Sequence, residues 1–227
     1  MSLYLLVLLL SLSIPLLFSF HFKIKFYKLF FPAFLSLFST SIFFIIWDIW
    51  FTKMQVWGFN KKHHSDFILF NLPLEEVLFF FVIPFCCLFT YFVFRKFKIF
   101  NLKIKKTFLL LFIFLLVFLI IMFYQNKYTL SVCVFSLMIL FHILYRYRYW
   151  HGYFFSTYLI ISFIPFIIVN GILTGFITDS PPVWYSVDHI IGLRLGSIPV
   201  EDFLYNFILL YSNFFLFELY NSKLNFK

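Results

Sequence analysis

Four of the nine acidic residues in this chain fall in two adjacent pairs, each shortly after a proline. The first stretch is Pro73-Leu74-Glu75-Glu76-Val77-Leu78-Phe79-Phe80-Phe81; the second is Pro199-Val200-Glu201-Asp202-Phe203-Leu204-Tyr205-Asn206-Phe207. They lie 126 residues apart, and the same gapless offset pairs Phe59 with Tyr185, His63 with His189, Leu69 with Leu195 and Phe89 with Phe215. Such self-similarity marks an internal repeat. Proline followed by an acid is ordinary helix-start chemistry, because the missing N–H is an orphan there and the acid meets the positive end of the helix dipole. Here, however, two acids stand where one would serve, and the helix behind them is an apolar run. A third acid, Asp48, lies inside the apolar run Ile42–Phe51. Asp48 and Thr52 are spaced to share a helix face, and Asn170 and Thr174 repeat that spacing at an offset of 122. Ionisable groups at membrane depth are costly and are functional candidates by default.

Carboxylates gathered in this way could hold a diphosphate through a divalent cation. They could pass protons or a substrate across the membrane. They could also donate and accept protons on an apolar molecule dissolved in the bilayer. A crowded, dry site can keep one carboxylic acid protonated beside an ionised partner, which acid–base chemistry requires. Phe79, Phe80, Phe81 and Tyr205 follow the acids closely, and ring faces attract cations.

The elements that must position these groups are apolar helices. Hydrophobic residues make up 63% of the chain and Phe alone occurs 41 times, too apolar for a soluble domain. The pattern predicts an all-α polytopic membrane protein of about seven spans, at roughly 3–20, 29–51, 73–94, 107–124, 128–145, 152–174 and 199–219. Matching the repeats divides the chain into a three-helix unit (1–100), a linking helix (101–126) and a second three-helix unit (127–227). Corresponding helices are then an even number apart. The two units therefore have the same orientation about an axis along the membrane normal, and both acid pairs lie on one side. Of the 18 Lys and Arg residues, 13 lie in the loops and terminus of the opposite side. The positive-inside rule then places the N-terminus outside and the C-terminus in the cytoplasm of a cell-membrane protein. The two long loops, 52–72 and 175–198, each lead into an acid pair and carry the aromatics Trp57, Phe59, Trp184 and Tyr185.

The net charge of +9 is accounted for by these loop cations, and no nucleic-acid-binding motif is present. Cys86, Cys87 and Cys133 fall inside apolar runs without disulfide or metal spacing. His63, His64 and His189 form no zinc pattern, and no dinucleotide fingerprint occurs. Gly192 and Gly196 flank Arg194, a candidate partner for Glu201 or Asp202. The first 20 residues lack a basic n-region and a cleavage site, so they read as a retained helix.

Several segments resemble the flavin-free integral-membrane lycopene cyclases, which occur as heterodimers or fused repeats. In the first unit these are Trp47-Asp48-Ile49-Trp50-Phe51-Thr52, Val56-Trp57-Gly58-Phe59-Asn60 and Leu72–Phe80. In the second they are Asn170–Gly175, Pro182-Val183-Trp184-Tyr185 and Gly192–Asp202. Where the second unit has glycines before its acids, the first has Ser65–Asn71, a departure that bears on loop geometry. The resemblance implies redox-neutral conversion of the linear ends of lycopene to β-ionone rings. An acid protonates the terminal alkene, the next double bond attacks the cation, and a base removes a proton. It implies Glu75, Glu76, Glu201 and Asp202 as acids, and Asp48 as a base or orienting group. Phe79, Phe80, Tyr205, Trp57, Trp184, Asn170 and Arg194 are implied as substrate contacts. It further implies no metal or other cofactor, and lycopene and γ-carotene as lipophilic substrates. Membrane lipid and other carotenoid enzymes are its implied partners. A metal-dependent prenyl transferase lacks support because no aspartate-rich D-x-x-x-D motif occurs; a small transporter is the other alternative. On this reading Glu75→Gln or Glu201→Gln abolishes cyclisation while the protein still inserts. Full activity in both variants would reduce those acids to helix caps.

Overall fold

Helices occupy most of the described residues, 2–224, of the computed structural model. They are α1 (Leu3–Ser19), α2 (Phe30–Lys53), α3 (Leu74–Lys96), α4 (Lys106–Met122), α5 (Lys127–Tyr145), α6 (Tyr149–Phe163), α7 (Pro165–Thr174) and α8 (Val200–Leu224). Four of them, α2, α3, α5 and α8, are long and apolar enough to cross a membrane. The pair α6 and α7 would make a fifth span, bent by 46°, and α1 and α4 are shorter apolar helices. Their outer faces carry large exposed hydrophobics such as Leu17, Phe34, Phe114 and Ile121, which in water would be a severe liability and in lipid are at home.

Internal prolines shape the bundle. A proline cannot donate to the carbonyl four residues earlier, and in lipid that carbonyl needs another donor. Pro84 frees the Phe80 carbonyl, and the Ser41 hydroxyl of α2 donates to it at 2.7 Å. Pro15 likewise frees the Ser11 carbonyl, which accepts from the Cys86 thiol of α3 at 3.4 Å. These two helices stay continuous, cross-bonded to their neighbours. At Pro165 the outcome differs. The apolar run 152–174, expected as one helix, breaks at Ile164, whose φ of −120° and ψ of −79° are not helical. The residue before a proline is biased away from the α region, and the break follows.

The long loops hold short strands that the sequence reading did not place: β1 (Trp57–Phe59), β2 (Ile68–Leu69), β3 (Leu72–Pro73), β4 (Val183–Tyr185), β5 (Arg194–Leu195) and β6 (Ile198–Pro199). Strand β1 pairs antiparallel with β4, with Gly58 opposite Trp184. These are residues that the offset of 126 equates, so the pairing is self-complementary about a local two-fold axis. The flanking bonds obey it too: Asn60 N–H donates to the Pro182 carbonyl at 2.8 Å and Ser186 N–H to the Val56 carbonyl at 2.9 Å. Hairpins β2–β3 and β5–β6 are equivalent in the same way, each closing with an N–H from the following helix (Leu74 to Phe67, 2.9 Å; Val200 to Leu193, 3.1 Å). Both hairpins lie at the end of the bundle where α3 and α8 begin. At the opposite end Arg95 pairs with Glu218, and Tyr91 donates to the same carboxylate at 2.7 Å.

The hairpin turns differ. The second uses Gly196 at φ +63°, whereas the first forces Phe70 (φ +52°) and Asn71 (φ +67°) into the left-handed region. Phe70 has its ring largely exposed and gains little packing for that strain. Phe70→Gly should therefore stabilise the protein by about 0.5–1 kcal/mol, seen as a higher melting temperature in detergent.

Candidate active site

At the hairpin end, the start of α3 carries Glu75 and Glu76, and the start of α8 carries Glu201 and Asp202. Adjacent residues on a helix point about 100° apart, so the members of each pair meet different surroundings. Glu76 and Asp202 turn inward. With Asp48 from the end of α2 they line a single cavity of about 240 Å³, bounded mainly by α1, α3, α7 and α8. Phe79, Ile83, Val169, Leu173 and Leu209 make its walls apolar.

Each of these three carboxylates is held by a donor from another element. Tyr4 of α1 donates its hydroxyl to Glu76, and Trp57 of β1 donates its indole N–H to Asp48. Asp202 receives three hydrogen bonds: Tyr128 Oη at 2.7 Å, Asn170 Nδ2 at 2.6 Å and Tyr185 Oη at 2.9 Å. Burial, with Asp202 beside it, pushes the Tyr185 hydroxyl well above its ordinary value, so it stays protonated and keeps donating. Tyr205 enters the cavity from α8, one turn beyond Asp202, and packs against Trp47 at a ring separation of 5.3 Å.

Glu75 and Glu201 turn away from the cavity, though both are buried. Glu75 accepts from Ser2 Oγ (2.6 Å), Ser65 N–H (2.7 Å) and Ser65 Oγ (3.0 Å). Glu201 accepts from Thr129 Oγ1 (2.7 Å) and Ile191 N–H (2.6 Å). Ser65 and Ile191 are themselves 126 residues apart, so each carboxylate fastens the loop ahead of its own hairpin to the same point.

The residues expected at the site thus separate. Asp48, Glu76, Asp202, Phe79, Tyr205, Trp57 and Asn170 come together in the cavity. Phe80 is packed in the core beside Phe44. Trp184 is 41% exposed and lies over Gly58, where a Cβ would meet its ring at 2.4 Å. Arg194 is exposed on its hairpin; it donates to the Ser197 carbonyl at 2.6 Å and lies over the Tyr185 ring, and is not paired with Glu201 or Asp202. Among the described residues no group of three or more His, Cys, Asp or Glu side chains is placed to hold a metal ion. Sequence reasoning missed Tyr4 and Tyr128. Their roles correspond, but the offset of 126 pairs Tyr4 with Leu130, so the shift of two residues hid the match. A tyrosine near the start of each preceding apolar run was the available signal.

A family model described as lycopene cyclase matches residues 1–94 and 125–220, two regions that flank α4. No curated protein and no solved structure matches the chain.

Removing either outward carboxylate strips partners from buried donors. Glu75→Ala and Glu201→Ala should each lower stability by about 1–3 kcal/mol, measurable as a drop in melting temperature of the detergent-solubilised protein.

Proposed function

Since the chain belongs to the lycopene cyclase family, we propose that it closes rings at the linear ends of lycopene by proton-initiated, redox-neutral cyclisation, giving β-ionone ends. Family membership supports a carotenoid cyclase and a lipophilic carotenoid substrate. The observation that carries the finer reading is the meeting of Asp48, Glu76 and Asp202, from three elements, in one apolar, ring-lined cavity.

The chemistry needs a proton source, a place for a short-lived carbocation and a proton acceptor, all away from water. A carboxylic acid of the trio adds its proton to the terminal double bond. The electron pair of the next double bond then closes the six-membered ring and moves the positive charge onto it. A carboxylate of the trio takes a ring proton, restoring a double bond, and the net proton count is unchanged. Asp202 accepts three hydrogen bonds and Glu76 one. Negative charge is thus better supported at Asp202, so it suits the accepting role and Glu76 the donating one. Tyr205 and Phe79 supply ring faces for the cation between them. Asp48, fixed by Trp57, completes the negative field around it.

In this proposal Glu75 and Glu201 are positioning residues that hold the hairpins and, through them, the inward acids. The membrane arrangement is the seven-span one, with α1 and α4 crossing as short helices and α6 with α7 as one bent span. Two like-oriented three-helix units are linked by α4, with the hairpin end outside and the C-terminus in the cytoplasm, where the cationic loops lie.

Expression in a lycopene-making host should convert lycopene to monocyclic and bicyclic carotene, read by pigment chromatography; unchanged lycopene despite good membrane insertion would overturn the proposal. Glu76→Gln and Asp202→Asn should each lower the rate by about 100-fold or more. Trp184→Ala, outside the cavity, should retain most of it.

A further inference from the structure

The cavity does not end at the acids. From Glu76 it continues along α3 past Ile83 and Cys86 to Thr90, fourteen positions further on, which at about 1.5 Å per residue is a groove of roughly 21 Å. Ser11 and Pro15 of α1 line one edge and Pro165 and Phe166 of α7 the other. Away from the acids its lining is apolar apart from Asn206, whose amide donates to Ser162 Oγ at 3.2 Å, and hydroxyl and thiol groups turned to backbone: Ser11 Oγ donates to the Val7 carbonyl and Thr90 Oγ1 to the Cys86 carbonyl. Such a surface offers no counter-charge to a charged ligand and suits a hydrocarbon chain.

The groove breaks the internal symmetry. In the first unit, α2 runs unbroken and packs along α8, with the Phe44 and Trp47 rings 5.2 and 5.3 Å from Tyr205. The corresponding crevice is filled. In the second unit α6 packs on α3, but the chain turns by 46° at Ile164–Pro165 and α7 packs instead on β4 and β6. The residue that the 122 offset equates with Pro165 is Phe43, which leaves α2 straight. One proline therefore opens one side only. At the break Phe163, Ile164 and Pro165 are exposed, and across the groove Ser11 and Pro15 are only half-buried, so the opening faces sideways, midway along the bundle.

We propose that this groove is a tail channel for a linear isoprenoid hydrocarbon, entered sideways from the bilayer beside the Ile164–Pro165 break, and that it brings one chain end to the acids in each binding event. The inference rests on the cyclase reading above. A long polyene with two reactive ends must then leave and re-enter reversed to form its second ring, so the monocyclic product is a released intermediate.

The test fills the groove far from the acids. Ser11→Phe on α1 and Thr90→Phe on α3 are assayed in membranes with lycopene and with a truncated analogue that bears one identical end and stops short of both positions. Each variant should slow lycopene turnover about tenfold while keeping the truncated analogue within about twofold of the parent rate. With lycopene in excess, the parent protein should accumulate free monocyclic product before bicyclic product appears. Undiminished lycopene turnover in both variants, an equal loss on both substrates, or bicyclic product without free monocyclic product would overturn the channel. If the parent protein closes no ring on either substrate, the cyclase reading falls and the channel with it.

Discussion

A carboxylate placed where water is scarce must be met by donors, and that requirement organises the whole hairpin end of this molecule. No helix can satisfy its own acids, so every one of the five recruits a partner from elsewhere. Glu76 takes the Tyr4 hydroxyl of α1, Asp48 the indole of β1, and Asp202 the groups of α5, α7 and β4. Glu75 and Glu201 take backbone N–H groups and hydroxyls from the loops and helix starts. The acids are therefore the knots that tie α1 to α3 and α5 to α8. The adjacency of two acids, unexplained by helix-dipole chemistry, has a geometric account. One holds the loop, and its neighbour, rotated by about 100°, faces the cavity.

The prolines show the same accounting applied to backbone. Where a neighbouring helix supplies a donor for the freed carbonyl, as Ser41 does at Phe80 and Cys86 at Ser11, the helix persists. Where the chain breaks, at Ile164, it turns and leaves space. The straight wall in one unit and the opening in the other follow from Pro165, where the first unit has Phe43.

Much of this was legible in the sequence. The apolar runs, the repeat offset and the paired acids are strong one-dimensional signals, because membrane thickness and helix rise leave few alternatives. Pro165 was visible, but its effect depended on packing that sequence spacing does not express. The strands were not legible: β1 and β4 are three residues each, and their pairing partner lies in the other unit. Phe70 carries no turn signature, and its left-handed backbone follows from the closure of a hairpin whose equivalent has glycine. The separate surroundings of Glu75 and Glu76 were also hidden, since both belong to one motif and differ only in azimuth around α3.

The strand pair β1–β4 has a consequence for biosynthesis. Its two members are separated by α3, α4, α5 and the broken pair α6 and α7, and α8 brings the last carboxylate only when nearly all of the chain has been made. During synthesis, α3 must therefore reside in the bilayer with Glu76 tied to Tyr4 alone and β1 without its mate. Tyr4 and Leu8 of α1 then have Leu78, Val82 and Ile83 of α3 beside them, but Val169, Leu173 and Val183, which complete that cluster, come later. Nascent chains halted before residue 200 would lack Asp202 and be inert, and competence would arrive abruptly with the final helix.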